Sequence, residues 1–161
     1  MTWLWIAVLV SVIVGPFEAM YAYNRMQIKR RSGMQEEILS AVRKYQEVVR
    51  TQDKQLYDSL FSDRRHCRLI SGGNLYEGKE SIYADFLIGG IRRAYSAIEL
   101  ISEDVEITEL GGDTAVVTFR YHTECVRRED GAPWGIRGVE TQVLTHEGGA
   151  WKIMHVHYSI A

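Results

Sequence analysis

The sequence has little of the residue types and motifs on which covalent and metal chemistry depend. Only two of its 161 residues are cysteines, Cys67 and Cys125, and they lie far apart with no C-x-x-C spacing. That spacing indicates neither a zinc knuckle nor a disulfide framework, although one disulfide between them stays open. Two free thiols are favoured, because the membrane topology argued below predicts a reducing compartment. The sequence also contains no G-x-x-x-x-G-K-[ST], G-x-S-x-G or cysteine–histidine nucleophile pattern.

The chain has no excess of basic residues. It contains 19 Lys and Arg against 21 Asp and Glu. Four of the basic residues and one acidic residue fall in residues 1–33, which leaves 15 basic and 20 acidic residues, a formal net charge of −5, in residues 34–161. An acidic domain without a basic stripe argues against nucleic-acid binding.

Long apolar runs are confined to the N-terminal segment. Residues 3–23 would rise about 31 Å as a helix, which matches a hydrocarbon core of roughly 30 Å. Trp3 and Trp5 lie at one end and Tyr21 and Tyr23 at the other, as in the aromatic belts of a spanning helix. The pattern predicts one transmembrane anchor. It fits a cleaved signal peptide less well, because no basic leader is evident, and it fits a soluble surface helix less well, because apolar residues run all round.

The charges that flank this segment predict its orientation. Only Met1 and Thr2 precede it, whereas four basic residues follow: Arg25, Lys29, Arg30 and Arg31. The positive-inside bias therefore predicts an N-terminus outside and a cytoplasmic C-terminal domain, with the basic cluster near lipid headgroups of the bilayer. Glu18 is interpreted as an interfacial carboxylate, with a polar contact to another membrane helix as the alternative.

The remainder, residues 34–161, predicts one α+β domain. Apolar residues at helical spacing predict a first helix from Met34, and Asp53 can cap a second helix from Lys54 to Phe61. A short strand at 66–70 and a third helix at 79–95 precede four strands with alternating apolar residues, at 98–110, 114–127, 136–146 and 150–160. Such an order predicts helices packed on one face of an antiparallel sheet.

The last strand carries the clearest pattern. Along Trp151–Ser159 the alternation predicts Trp151, Ile153, His155 and His157 on one face. The other face is also largely apolar, so the strand is expected to lie between two layers, such as the helices and a second subunit.

Three short motifs carry a family resemblance over residues 36–160. They are Gly73–Gly78 (GNLYEG), Glu140–Val143 (ETQV) and Trp151–Ser159 (WKIMHVHYS). With the order of elements, they resemble the nuclear transport factor 2-like, or SnoaL-like, superfamily, and within it the association (hub) domain of calcium/calmodulin-dependent protein kinase II and its bacterial relatives. The resemblance implies a cone-shaped curved antiparallel sheet with three covering helices, a pocket between them, and dimers or rings joined through the outer sheet face.

The resemblance also suggests which residues line the pocket. Ketosteroid isomerase, an enzyme of this superfamily, has a helix-one tyrosine that matches Tyr45. Its catalytic aspartate falls at Ile70 or Ser71, and its second acid near Thr141, so isomerase activity is not expected.

The hub-domain pocket resembles an anion site built from strand arginines, and those positions fall at Tyr121, Gln142 and Tyr158. None is charged, so a neutral, hydrogen-bonding pocket of Tyr45 and these three residues is expected, able to hold a small apolar or aromatic molecule. His157, paired with a tyrosine, is a further pocket candidate for dehydratase-type chemistry.

His155 and His157 have a spacing that metals can use, with His122 and Glu124 as the only evident further ligands. In the family motif these histidines look structural, so no metal and no other cofactor are expected. Two functions remain. The first is a non-enzymatic membrane-anchored assembly module, which dimerises or docks as an accessory subunit of a larger membrane complex. The alternative is a SnoaL-like small-molecule-binding lyase or isomerase that acts on a lipophilic substrate at the membrane.

Overall fold

The computed structural model describes residues 2–64 and 66–161, with side chains from Glu18 onward. The chain divides into two compact units, Met1–Glu36 and Glu37–Ala161. Helix α1 (Thr2–Thr51) contributes to both, so the predicted boundary between residues 33 and 34 lies within a helix.

In the first unit the described residues are helical, and from Glu18 to Glu36 all of them except Gln27 and Met34 are exposed. Glu18, Tyr21 and Tyr23 are all exposed, and the guanidinium of Arg25 lies 5.8 Å from the centre of the Tyr21 ring. Lys29, Arg30 and Arg31 are exposed too. Within the part of the chain that the structure describes, no helix is long and apolar enough to cross a bilayer. Most of the predicted span, with Trp3 and Trp5, lies outside the described side chains.

Two helices begin the second unit. The apolar stripe of α1 is buried as its spacing predicts, through the six residues Ile38, Ala41, Val42, Tyr45, Val48 and Val49. The helix ends before Gln52, which has a positive φ of 51°. Asp53 then caps α2 (Lys54–Leu60) by accepting a 2.6 Å hydrogen bond from the backbone N–H of Leu56, as predicted.

The third predicted helix has an unexpected form. It starts as a short α-helix, α3 (Lys79–Ser81), and continues as a π-helix (Ile82–Arg92). Phe86 and Leu87 of this π-helix are buried. A π-helix has i→i+5 hydrogen bonds, and such segments occur frequently at functional sites. The space beneath this helix is therefore a candidate site.

The seven strands form one curled sheet, as predicted for an α+β fold. Their bounds are β1 (Arg68–Ser71), β2 (Asn74–Glu77), β3 (Tyr95–Glu109), β4 (Thr114–Arg127), β5 (Pro133–Trp134), β6 (Arg137–Glu147) and β7 (Ala150–Ile160). The order is β2-β1-β7-β6-β4-β3, with β5 paired to β4. Among the strands of the described chain, only β1 and β7 pair in parallel, and the four long strands form the predicted antiparallel meander.

The predicted face alternation of β7 is wrong in its second half. His155 pairs with Val143 and Ile153 with Leu144, so Met154 is an extra, bulged residue. A bulge of one residue reverses which side chains point inward beyond it. Trp151 and Ile153 are therefore buried, but His157 is exposed, and the inner face continues instead through Val156 and Tyr158.

Candidate functional site

A small cavity of about 90 Å³ lies on the inner face of the sheet, beneath α1 and the π-helix. Its walls are mostly apolar and aromatic: Tyr45, Val49, Phe86, Ile91, Tyr95, Ile98, Leu100, Tyr121, Thr123, Cys125, Ile136, Glu140 and Tyr158. Sites for drug-sized ligands are larger, on the order of 300–1,000 Å³. The cavity therefore suits a molecule, or part of a molecule, of only a few heavy atoms.

The only carboxyl group that lines this cavity belongs to Glu140. Glu140 lies on β6 opposite Tyr158 of β7 and Phe119 of β4, and it is 2% exposed. The side-chain amide of Gln142 donates a 2.7 Å hydrogen bond to Glu140 Oε1, and the Tyr45 hydroxyl hydrogen-bonds to the same carboxyl group. All of these neighbours are uncharged, and no Lys, Arg or His lines the cavity.

Burial raises the pKa of Glu140 to about 8, because the charged form loses its hydration and gains no cation. The hydrogen bonds from Gln142 and Tyr45 act in the opposite direction but do not offset the burial. At neutral pH the carboxyl group is thus mainly protonated, and it can donate a hydrogen bond as well as accept one. A buried acid of this kind is a candidate for ligand binding or proton transfer.

Four tyrosines line the cavity: Tyr45, Tyr95, Tyr121 and Tyr158. Tyr121 donates a 3.2 Å hydrogen bond to the carbonyl of Ser159, and its ring meets the Tyr158 ring edge-on at 5.8 Å. Ser71 Oγ donates to the Tyr158 hydroxyl. Burial raises the pKa of Tyr45, Tyr121 and Tyr158 above the ordinary tyrosine value, so all three stay neutral.

The five residues predicted for the pocket lie in three different environments. Tyr45, Tyr121 and Tyr158 line the cavity together. Gln142 is fully buried behind the wall, where its amide holds Glu140 and its Oε1 has no hydrogen-bond partner within the described chain. His157 is exposed on the opposite face of β7, because of the bulge.

Glu140 itself was not predicted as a site residue. The second acid of ketosteroid isomerase falls near Thr141, and the resemblance therefore predicted that this chain lacks it, although Glu140 lies one position away. The alternation of β6 could have identified it, since Glu140, Gln142 and Leu144 share the buried face.

The two neighbouring histidines do not form a metal cluster. Among the described residues, no three His, Cys, Asp or Glu side chains come together in a way that could hold a metal ion. His122 Nδ1 lies 2.7 Å from the carboxylate of Glu103. Burial, with the charges of His157 and Arg68, lowers the pKa of His155. Cys67 and Cys125 are both free and buried.

Comparisons with known proteins agree with this architecture. The solved structures that share it include the following three. An NTF2-like superfamily protein from Salmonella enterica serovar Typhimurium is 26% identical, with a TM-score of 0.76 over 81% of this chain and 92% of that one. A hexachlorocyclohexane dehydrochlorinase (LinA-type3) from Novosphingobium barchaimii is 14% identical, with a TM-score of 0.71 over 81% and 88%. The association domain of C. elegans CaMKII is 21% identical, with a TM-score of 0.63 over 80% and 96%.

The last two likenesses show the fold alone, and this fold serves both an enzyme and an association domain. No curated protein matches the chain. The SnoaL-like domain model matches residues 38–161, which covers the cavity and every strand of the sheet. The chain belongs to the SnoaL-like domain family.

Proposed function

We propose that the domain binds a small, neutral, largely apolar molecule that carries one oxygen atom, and that the protonated carboxyl group of Glu140 holds this oxygen. The observation that supports the proposal is the burial of Glu140 at a cavity wall with only neutral hydrogen-bond partners. Burying an ionisable acid without a cation beside it disfavours its charged form, so packing alone does not account for Glu140.

The walls define the class of ligand. Glu140 and the tyrosines offer hydrogen bonds, whereas Val49, Ile98 and Leu100 offer apolar contact. No cationic side chain is available in this lining to balance a carboxylate or phosphate. Small ketones, alcohols and phenols therefore fit the cavity better than anions do.

Lyase or isomerase chemistry on a lipophilic substrate is an extension of this proposal. Glu140 is a suitable proton-transfer group, because an acid–base catalyst works best when its pKa lies near the working pH. It is the only carboxyl group in the lining, so such a reaction would depend on this one acid.

The binding proposal is tested with the full-length chain in lipid nanodiscs, by ligand-observed NMR with cyclohexanone and phenol as probes. We expect saturable binding that weakens as the pH rises through about 8, because ionised Glu140 can no longer donate a hydrogen bond. Glu140→Gln keeps a donor and should bind without this pH dependence, and Glu140→Leu should lose binding. The exposed residue Glu124 provides the control, Glu124→Gln, which should behave as the wild type. Equal binding by Glu140→Leu and wild type would contradict the proposal.

Assembly is a second candidate function, favoured by the exposed apolar side chains of the sheet. Val139 on β6, Ile160 on β7 and Trp134 on β5 are all 43–57% exposed. With the likeness in fold to an association domain, they support a homo-oligomer or an accessory subunit of a membrane complex that uses the sheet as its interface. Native mass spectrometry of the extracted particle tests this candidate. Val139→Glu should reduce the mass of the assembly, and a monomer in the wild type would exclude a homo-oligomer.

We also propose that residues 3–23 anchor the domain in a bilayer, with the N-terminus outside and the domain in the cytoplasm. The apolar composition of this segment and the basic residues Arg25–Arg31 support the proposal. Alkaline carbonate should not extract the protein from membranes. A Ser32→Cys variant should resist a membrane-impermeant maleimide in intact cells, and labelling there would show the opposite orientation.

A further inference from the structure

A second concave site lies outside the Glu140 cavity, where the π-helix, the start of β3 and the turn after β4 meet. This cleft has a volume of about 660 Å³, within the range of ordinary ligand sites. Its lining is Gly89, Gly90, Arg93, Ala94, Tyr95, Arg127, Arg128, Glu129 and Trp134. Three arginines and one glutamate make it cationic, in a domain whose formal net charge is −5.

Two of the three arginines in the cleft have no acidic partner within the described chain, although Glu129 also belongs to the lining. Only Arg127 has a carboxylate partner, Asp130 at 2.6 Å. Within the described chain, no carboxylate lies at ion-pair distance from Arg93 or Arg128. Such unpaired guanidinium groups favour an anion, and their planar fork matches phosphate or carboxylate oxygens.

Hydrogen bonds within the protein hold part of the cleft lining in place. Arg128 is fixed by hydrogen bonds from its guanidinium to the carbonyls of Arg92 (3.1 Å) and Tyr95 (2.9 Å). Arg127 Nε is buried and has no hydrogen-bond partner within the described chain. Gly89 and Gly90 put no side chains into the floor of the cleft. Fixed donors of this kind lower the ordering cost of binding.

Trp134 gives the cleft an apolar, aromatic wall. The Arg127 guanidinium carbon lies 5.7 Å from the centre of its ring, and the residue is 49% exposed. Exposed indole surface beside cations favours a ligand with a flat apolar part next to its charge.

We propose that the cleft framed by Arg93, Arg127, Arg128 and Trp134 binds a phosphate monoester, with the phosphate on the arginines and the apolar remainder against Trp134. The phosphate can come from a free ester or from an anionic lipid headgroup, since both present the same group. This site is independent of the ligand of the Glu140 cavity, so either proposal can fail alone.

The test is calorimetric titration of the full-length chain in a neutral detergent with three probes: inorganic phosphate, phenyl phosphate and monomeric dihexanoyl phosphatidic acid. We expect phenyl phosphate to bind roughly tenfold more tightly than inorganic phosphate, because its ring adds contact with Trp134. Trp134→Leu should remove this preference. Arg93→Gln should weaken phosphate binding about tenfold, because a charge-assisted contact is lost.

The matched control is Arg120→Gln, which removes an exposed arginine outside the cleft and should leave binding unchanged. Binding of phenyl phosphate that depends on Arg93 would identify a free ester as a ligand. Binding of the phosphatidic acid alone, with the same dependence, would identify a lipid headgroup. No saturable binding of any probe, or equal binding by the Arg93→Gln and Arg120→Gln variants, would overturn the proposal.

Discussion

Two glutamates on β6 lie in opposite environments. Glu140 is buried at the cavity and hydrogen-bonds only to neutral groups. Glu147, near the end of the same strand, accepts hydrogen bonds from Ser62 Oγ at 2.9 and 3.1 Å and from Thr145, and it pairs with Arg64 at 2.9 Å. One carboxyl group is isolated from positive charge, and the other is surrounded by partners.

This difference separates a functional candidate from a structural one. Glu147 ties the segment after α2 to the β6–β7 hairpin, so its hydrogen bonds are accounted for by the fold. Glu140 ties together α1 and β6 only through neutral hydrogen bonds, and its charged form is disfavoured. A fold that keeps an acid under those conditions sacrifices stability, as binding and catalytic sites commonly do.

The largest expected effect on stability comes from Glu140→Gln, which replaces the ionisable carboxyl group with an amide of similar shape. Between pH 4.5 and about 8 the unfolded wild type loses the Glu140 proton and the folded chain retains it, so deprotonation favours unfolding. Wild-type stability should therefore fall as the pH rises through this window, by roughly 3–5 kcal/mol in total. The variant should lack this fall and be the more stable protein at pH 8. Urea denaturation at pH 5, 6, 7 and 8 measures both.

The control for this effect is Glu124→Gln, at an exposed position of β4. Its stability should follow the wild type across the same pH range, because the change lies outside the cavity and leaves Glu140 intact. A wild-type stability that rises steadily from pH 5 to pH 8 would contradict the assignment of Glu140 as a protonated acid.

Sequence patterns predicted the elements of this fold better than the details of its site. Apolar periodicity located the buried part of α1, from Met34 onward, and the four long strands, because each buries one face, whereas the capping residue Asp53 located α2. It did not reveal the bulge at Met154, since an inserted residue leaves the composition of β7 apolar. The bulge is what moves His157 out of the predicted pocket and keeps Tyr158 in it.

Three of the four tyrosines that line the cavity were among the residues suggested by the resemblance, but the acid was not. The second acid of ketosteroid isomerase falls near Thr141, so this chain was expected to lack it, whereas Glu140 lies one residue away, and in a strand one residue changes the face. The π-helix was beyond prediction as well, because the apolar spacing of Ile82–Arg92 fits an α-helix too. The cavity and the cationic cleft depend on how side chains pack across elements distant in sequence.

A smaller effect on stability is expected for Glu147→Gln, which changes the second glutamate of β6. The change weakens the hydrogen bonds from Ser62, which is fully buried, and from Thr145. We expect a loss of about 1–2 kcal/mol in the free energy of unfolding, because buried polar groups are left poorly paired. Urea denaturation at pH 7 measures it.

The comparison variant Arg64→Gln should lower the free energy of unfolding by less than about 1 kcal/mol, because an exposed partner contributes little. A larger loss for Arg64 than for Glu147 would mean that the ion pair, rather than the hydrogen bonds, fixes this junction.

The smallest expected effect on stability comes from removing the hydrogen bond between Tyr45 and Glu140. Tyr45→Phe removes the hydroxyl that hydrogen-bonds to the carboxyl group and leaves the ring in the core. Because that hydrogen bond favours the charged form, its loss should raise the pKa of Glu140 further. The pH at which probe binding weakens should then move upward, while the free energy of unfolding at pH 6 changes by only about 0.5–1.5 kcal/mol. NMR titration of the bound probe follows the midpoint, and Tyr83→Phe serves as the control, since its hydroxyl donates to the carbonyl of Gln52 outside the cavity. An unchanged midpoint in Tyr45→Phe would show that burial alone sets the protonation of Glu140, and that Tyr45 acts on the ligand rather than on the acid.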